Sequence, residues 1–132
     1  MARENNGLDW SLPQPRTGGD TAHHVKLNHG QLKLDKEVQS VFYGDPIKVT
    51  EEAWVIVQKQ KISPIRVGNT DVYVVSRFNA GYTGGTGAQR INLDYVTIAT
   101  KQDSNKIITA FPSGSSVRFP DGYIPFLQKL GE

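Results

Sequence analysis

All three histidines of the chain, His23, His24 and His29, lie within the short segment HHVKLNHG. Histidine titrates closest to neutrality of all side chains, so one or two imidazoles beside a substrate suffice for acid–base catalysis. A metal site would need neutral imidazoles that converge with a third or fourth ligand. His23 and His24 project in different directions on any regular element. The cluster therefore favours acid–base chemistry over metal binding, and the alternative is three ordinary surface histidines.

Other familiar catalytic arrangements are missing from the sequence. There is no cysteine, which removes a thiolate zinc site and a cysteine nucleophile. The sequence also contains no Ser-His-Asp order and no HExxH or Walker pattern. Metal-independent RNA cleavage remains, because the substrate supplies its own nucleophile. A base takes the proton of the ribose 2′-OH, an acid protonates the leaving 5′ oxygen, and a cation with hydroxyl donors stabilises the charged phosphate.

Residues of the types that this chemistry needs can be named. The candidate catalytic residues are His24 as the base, with His23 and His29 as its rivals, and Arg77 and Thr109 as phosphate contact and donor. The candidate substrate-binding residues are Lys26, His29, Tyr82, Arg90 and Phe111, of which the aromatic ones could stack on unpaired bases. Each also has a structural interpretation: Thr109 could simply fill a strand, and Arg77 could cap a face of a sheet. No metal ligand and no cofactor are expected.

Three strands are predicted to carry or flank these residues. In DVYVVSRF, alternate side chains share a face: Val72, Val74 and Ser76 on one side, and Tyr73, Val75 and Arg77 on the other. In RINLDYVTIAT, Tyr95 and Thr97 share one face and Val96 and Ile98 the other, and both faces are partly apolar, which indicates a central strand. KQDSN then forms a turn, and KIITAFP is a short strand that Pro112 ends. These three segments predict an antiparallel meander.

The connection NAGYTGGTGAQ carries four glycines and joins the first two strands. It lacks the GK[ST] ending of a phosphate-binding loop and no helix follows it, so a nucleoside-triphosphate site is not expected. It is either a flexible hairpin loop or a loop that lets another molecule approach the backbone, with Tyr82 as a contact.

One helix stands out before the strands. Thr50 is its expected N-cap, Glu51 and Glu52 follow in the first turn, and Ser63-Pro64 stops it. Its buried face would consist of Ala53, Trp54, Ile56 and Val57. Ahead of it, Val41 and Phe42 begin a short strand, and HHVKLNHG is either a strand with Val25 inward or the end of a short helix.

Length and composition limit the organisation. A chain of 132 residues with 37% hydrophobic residues suits one globular domain with one core. Residues 1–22 are expected to form an extended lead-in or linker, pinned by Trp10, and residues 23–132 a single domain whose tail after Phe111 is irregular. A net charge of +2 permits RNA binding without predicting it, and no apolar run approaches the length of a membrane span. MARENNG is typical either of an artificial start for expression or of a cut inside a longer chain.

Together these elements predict an α+β fold. A helical or irregular N-terminal part and one main helix would pack on a four- to five-stranded antiparallel β-sheet.

The segments HHVKL, VFYGDPIKVTEEAW, DVYVVSRFNAGYTGG and LDYVTIATKQDSNKIITAFPSG carry a family resemblance over roughly residues 20–115. The layout is similar to the toxic C-terminal domains of contact-dependent growth inhibition (CdiA-type) polymorphic toxins. Nuclease members of that group resemble the barnase, EndoU, colicin and RelE ribonucleases. Thr109-Ala110-Phe111-Pro112 also resembles a segment that ends the sheet of EndoU-like members.

The resemblance implies a ribonuclease that cuts tRNA and is blocked by a small cognate immunity protein. It further implies export as the C-terminal part of a larger secreted or cell-surface protein, action in the cytoplasm of the target cell, and a host factor there as a further partner. No stable membrane insertion is expected. The chain has Gln39 and Ser40 where related toxins carry a second histidine, so one histidine with Arg, Lys and Thr is the expected set.

Two other functions remain open at this point. The first is a non-catalytic domain whose sheet and glycine-rich loop dock a protein partner. The second is a toxin that acts on NAD, although the sequence shows no Arg…Ser-Thr-Ser…Glu series.

Overall fold

The computed structural model describes residues 7–13, 19–29, 39–84, 91–114, 116–119 and 122–125. In chain order these form α1 (Thr21–His29), β1 (Gln39–Phe42), α2 (Pro46–Gln60), β2 (Ile65–Val67), β3 (Thr70–Gly84), β4 (Asn92–Lys101), β5 (Ile107–Ser113), β6 (Ser116–Phe119) and β7 (Gly122–Pro125). β1, β3, β4 and β5 lie side by side in that order, and β2 pairs with the beginning of β3 to complete a five-stranded antiparallel sheet. The α+β fold with helices on an antiparallel sheet is confirmed.

The predicted meander is β3, β4 and β5, with β4 in the centre. The two faces of the sheet follow the predicted alternation. On the face towards the helices, Val75 and Tyr73 of β3 and Val96 and Ile98 of β4 pack against α2 residues and Val25 of α1. The opposite face carries Val72, Val74, Tyr95 and Phe111.

β3 bends in its middle, where its pairing with β4 shifts between Ser76 and Gly81. Beyond this bulge the strand continues to Gly84 and pairs with both β1 and the start of β4. The expectation that a glycine-rich connection starts at Asn79 is therefore wrong for residues 79–84, which are strand. The rest of that connection, including Arg90, lies outside the described residues.

Gly81 lies where the bent half of β3 meets β5. A Cβ at this position would stand 2.5 Å from Cγ of Pro112 and would also collide with the carbonyl oxygen of Val41. Only glycine allows this close approach of backbone to a neighbouring strand.

The prediction that Pro112 ends its strand is also wrong. β5 runs on to Ser113, and Pro112 is the partner of Val96. Proline is tolerated here because β5 is the last strand in the order of the sheet, where one side of the strand needs no ladder hydrogen bond.

α2 begins one turn earlier than the sequence suggested. Asp45 is the N-cap, since its side chain accepts hydrogen bonds from the backbone N–H groups of Ile47 (2.9 Å) and Lys48 (3.4 Å), and Pro46 occupies the first helical turn. Thr50 is therefore a buried residue inside the helix and not its N-cap. Glu51 and Glu52 likewise lie beyond the first turn.

The N-terminal segment is tied to the body through Asp9, Trp10 and Leu8. The Asp9 backbone N–H donates to the Asn105 carbonyl (2.8 Å), and its carbonyl accepts from the Ile107 N–H (3.0 Å). Trp10 packs on the core as expected, and its Nε1 donates to Glu51 Oε2 at 2.7 Å. Leu8 is buried in the same core.

At the other end, the expectation of an irregular tail is wrong for residues 116–119 and 122–125. Their backbones pair as a two-stranded antiparallel hairpin, from Ser116 opposite Pro125 to Phe119 opposite Gly122. None of the described helices is long and apolar enough to cross a membrane.

Candidate functional site

The histidine segment forms α1, which decides between the strand and helix interpretations in favour of the helix. Asp20 precedes it and accepts a hydrogen bond from the backbone N–H of His23 (3.0 Å), as an N-cap residue does. The buried hydroxyl of Thr21 donates to the carbonyl of Ile107 (2.7 Å) and fixes the start of α1 against β5. Val25 is fully buried on the core side.

His23 and Lys26 are both exposed on α1. Residues three apart on a helix are neighbours, with Cβ atoms about 5–6 Å from each other. α1 therefore presents a titratable imidazole and a cation together on its outer surface. The side chains of the other two predicted histidines, His24 and His29, lie outside the described part of the structure.

Thr109 and Phe111 are not brought to that surface. Phe111 packs with Val72 and Val74 on the face of the sheet away from the helices, while the intervening Ala110 belongs to the core under the helices. Since side chains alternate along a strand, Thr109 shares the face of Phe111. The sheet itself separates these two residues from the helix-covered side.

Arg77 makes contacts that stabilise the bend of β3. Its Nη2 donates to Glu52 Oε1 of α2 at 2.5 Å. Its Nη1 donates to the carbonyl oxygens of Phe78 (2.9 Å) and Asn79 (3.2 Å). The guanidinium thus ties α2 to the bulge, which supports the structural interpretation of this residue.

A polar network follows Arg77 at the bulge. Asn79 has a positive φ of 55°, and its backbone N–H donates to Asp94 Oδ1 at 2.9 Å. Asn92 Nδ2 donates to the same Asp94 oxygen at 2.7 Å and to Asn79 Oδ1 at 3.0 Å. Because Asn79 belongs to β3 and the other two residues to β4, the network links the two strands and stabilises the bend.

Beside this network lies a cavity of about 350 Å³, and Tyr43 and Asn79 line it among the described residues. The ring of Tyr43 packs on the ring of Tyr82, one of the candidate substrate-binding residues. The ring centroids are 5.3 Å apart and the ring planes are tilted by 38°. The Tyr43 backbone N–H donates to the Ala80 carbonyl at 3.0 Å, which anchors the ring above the bulge. Phe78, 75% exposed, stands at the same bulge.

Sequence reasoning identified Tyr82 here but missed Tyr43 and Asn79. Tyr43 follows the short strand directly, and nothing in its neighbours announces a cavity. A signal for Asn79 does exist, because Asn is among the few residues that tolerate positive φ.

A second charged cluster lies at the far end of the sheet. Arg66 Nε and Nη2 donate to the two oxygens of Asp71 (2.8 and 3.2 Å), and Nη2 also reaches Asp103 at 2.9 Å. Hydrogen bonds from Arg66 lower the pKa of the buried Asp71 carboxyl, despite the opposing effect of burial. The same pairing raises the pKa of Arg66. This cluster fastens β2 to the β3 and β4 ends and has the character of a structural ion pair.

Within the described ranges, no group of three or more His, Asp or Glu side chains could hold a metal ion. Comparisons of the chain with protein-family models, with curated proteins and with solved structures found no match.

Proposed function

We propose that this chain is the toxic C-terminal domain of a contact-dependent growth inhibition protein. In this proposal it is a metal-independent ribonuclease that cleaves tRNA by attack of the 2′-OH on the adjacent phosphate. The observation that carries the proposal is the exposed pair of His23 and Lys26 on α1. Support also comes from the family resemblance and from the α+β fold that it implied.

The chemistry follows from what the two side chains are. A neutral imidazole accepts the 2′-OH proton, and a nearby ammonium stabilises the negative charge that grows on the phosphate. His24 and His29 belong to the same short helix and remain candidates for the base. Thr109 and Phe111 have no role in this centre, because they lie on the other face of the sheet, and Arg77 supports the bend of β3.

The test is induction of the domain in bacteria without a protective partner, followed by separation of total RNA on a denaturing gel. The wild type is compared with His23→Ala, His24→Ala and His29→Ala, each checked for folding by circular dichroism. We expect discrete tRNA fragments with the wild type, and their loss in at least one histidine variant. Removal of a general base typically costs 10²- to 10⁴-fold in rate.

Lys26→Ala has a matched control in Lys59→Ala, since both are exposed lysines on helices of the same domain. We expect Lys26→Ala to reduce cleavage and Lys59→Ala to leave it unchanged. Growth arrest with intact RNA and falling NAD would instead support a toxin that acts on NAD. If neither growth nor RNA changes, the proposal is wrong and a non-catalytic interaction domain explains the chain better.

The partners are part of the same proposal. A small immunity protein encoded beside the toxin would bind the α1 surface and restore growth when co-expressed. The domain would be exported within a larger protein and act in the target-cell cytoplasm. A requirement for a host factor would appear as cleavage by the purified domain only after addition of cell extract.

A further inference from the structure

Among the described residues, an aromatic ring and a side-chain amide line the cavity at the bulge of β3. Tyr43 and Asn79 line it, and Tyr82 packs on Tyr43 from the side. It has a volume of about 350 Å³ and is largely open to solvent. Neither Tyr43 nor Asn79 takes part in the chemistry assigned to α1.

The hydrogen-bond network determines which atom Asn79 presents. Asp94 as a carboxylate can only accept, so the Asn92 side chain must turn its nitrogen towards it. That nitrogen also donates to Asn79, so the oxygen of the Asn79 amide must face Asn92. The Nδ2 group of Asn79 is left on the other side, and no acceptor for it is found among the described residues. Asn79 therefore presents a donor.

We propose that this cavity binds one unpaired nucleobase of a single-stranded RNA. The base stacks on the ring of Tyr43 and accepts a hydrogen bond from Asn79 Nδ2. The inference rests on the proposed function for its choice of RNA as the ligand. Every base has an aromatic face and at least one acceptor on its edge, so the site tolerates different bases and excludes paired ones.

The position of the cavity fits a site separate from the cleavage centre. α1 starts against Ile107, which pairs with Thr100 near the end of β4, while the bulge network uses Asp94 near the start of β4. At 3.3 Å per residue the N-terminal end of α1 and the network are about 20 Å apart along β4, and α1 continues from there to contact β1. A single strand of a few nucleotides spans that distance, so the cavity would hold a base away from the scissile bond.

The test measures binding with RNA that cannot be cut. Fluorescein-labelled single-stranded octamers with 2′-O-methyl riboses lack the attacking hydroxyl, so the wild-type protein can be titrated by fluorescence anisotropy whether or not it is a ribonuclease. An octamer of the same charge without bases and a duplex of the same chemistry are the ligand controls. Binding is compared in wild type, Tyr43→Leu and Asn79→Gly, where glycine keeps the positive φ of position 79. Tyr95→Leu makes the same change at a tyrosine of β4 that packs against Val72 and Val74.

We expect Tyr43→Leu to weaken binding of the octamers with bases about 5- to 100-fold, which is the usual loss for one stacked base. Asn79→Gly should weaken it about 2- to 10-fold, as one hydrogen bond predicts. The octamer without bases should bind weakly and respond to neither variant. Tyr95→Leu should bind like the wild type.

Wild-type affinity in folded Tyr43→Leu and Asn79→Gly would overturn the inference, as would equal affinity for the octamer without bases. If Tyr43→Leu does not fold, Asn79→Gly alone decides. The proposed ribonuclease function is tested in a separate cleavage assay with unmodified RNA. Binding that depends on Tyr43, without cleavage either in the presence or in the absence of cell extract, would contradict the ribonuclease proposal and leave the base site standing. Cleavage with no effect of Tyr43→Leu on binding would do the reverse.

Discussion

Replacement of Gly81 by alanine should cost the protein much of its stability. The added Cβ would lie 2.5 and 2.6 Å from the Pro112 ring carbons and would collide with the Val41 carbonyl oxygen. Carbon atoms in ordinary contact stand about 3.5–4.0 Å apart. β5 or β1 would therefore have to move away by about 1 Å, and neither neighbour is a flexible side chain end.

Overpacking of a well-packed site costs about 1–3 kcal/mol, occasionally more. The upper end applies here because one clash is with backbone. Alanine also restricts the unfolded chain more than glycine does, and this offsets only about 0.4–1 kcal/mol of the lost stability. For a chain of this length, a net loss of about 2–2.5 kcal/mol lowers Tm by about 8–10 °C.

Gly114→Ala is the matched control, since a Cβ at Gly114 would meet nothing within 4 Å. Urea unfolding followed by circular dichroism gives the free energy of unfolding for both variants and the wild type. We expect Gly114→Ala to match or slightly exceed wild-type stability. If Gly81→Ala stays within about 0.5 kcal/mol of the wild type, the close packing of the bent β3 against β5 and β1 is incorrect.

The remaining predictions concern α2 and the far ion pair. Asp45→Ala should lower the free energy of unfolding by about 1 kcal/mol, because two N–H groups lose their cap, while Asp45→Ser should recover most of it; urea unfolding measures both. Thr50→Val should leave stability unchanged or raise it, since the buried Thr50 hydroxyl has no hydrogen-bond partner in the described structure, and a clear loss would reveal a missed partner. The pKa of the Asp71 carboxyl is lowered in the folded protein. Its contribution to the free energy of unfolding is therefore fully present above the usual pKa of 3.8 and is lost as the pH falls below that value. Wild type should therefore lose more stability than Asp71→Asn on acidification through that window, and parallel pH profiles would contradict the Arg66 pairing.

Much of the sheet could be predicted from local patterns. Val72 and Val74 alternate with Tyr73 and Val75, and this alternation assigns each residue to one of the two faces of the sheet. With a period of two, burial of one residue fixes the face of every other residue in the strand. The start of α2 was misplaced because Thr50 followed by acids looks like a cap. The competing signal, Asp45 followed by Pro46, is the one that the structure uses.

The bend and the C-terminal hairpin depend on contacts distant in sequence. Gly81 looked like part of a flexible loop, yet its lack of a side chain serves the approach of Pro112 from β5. Pro120 and Pro125 are typical of irregular chain and conceal the hairpin in the sequence. Asp121-Gly122, which lies between them, is a turn signal that favours it.

The candidate site was predictable only in part. The chemistry of His23 and Lys26 can be read from the sequence, and the helix places both on its outer surface. The separation of Thr109 and Phe111 from them depends on which face of β5 covers the core. The role of Asn79 depends on a bulge, and the local signal for it is the tolerance of asparagine for positive φ.

Incubation of the purified domain with tRNA in excess EDTA, followed by mass spectrometry of the fragment ends, tests whether the domain cuts RNA by metal-independent attack of the 2′-OH. We expect cleavage that chelation does not slow, fragments with 2′,3′-cyclic phosphate and 5′-hydroxyl ends, and loss of cleavage when the histidine that acts as general base on α1 is replaced. Fragments with 5′-phosphate ends that disappear with EDTA, or tRNA left intact by the folded domain both with and without cell extract, would contradict it.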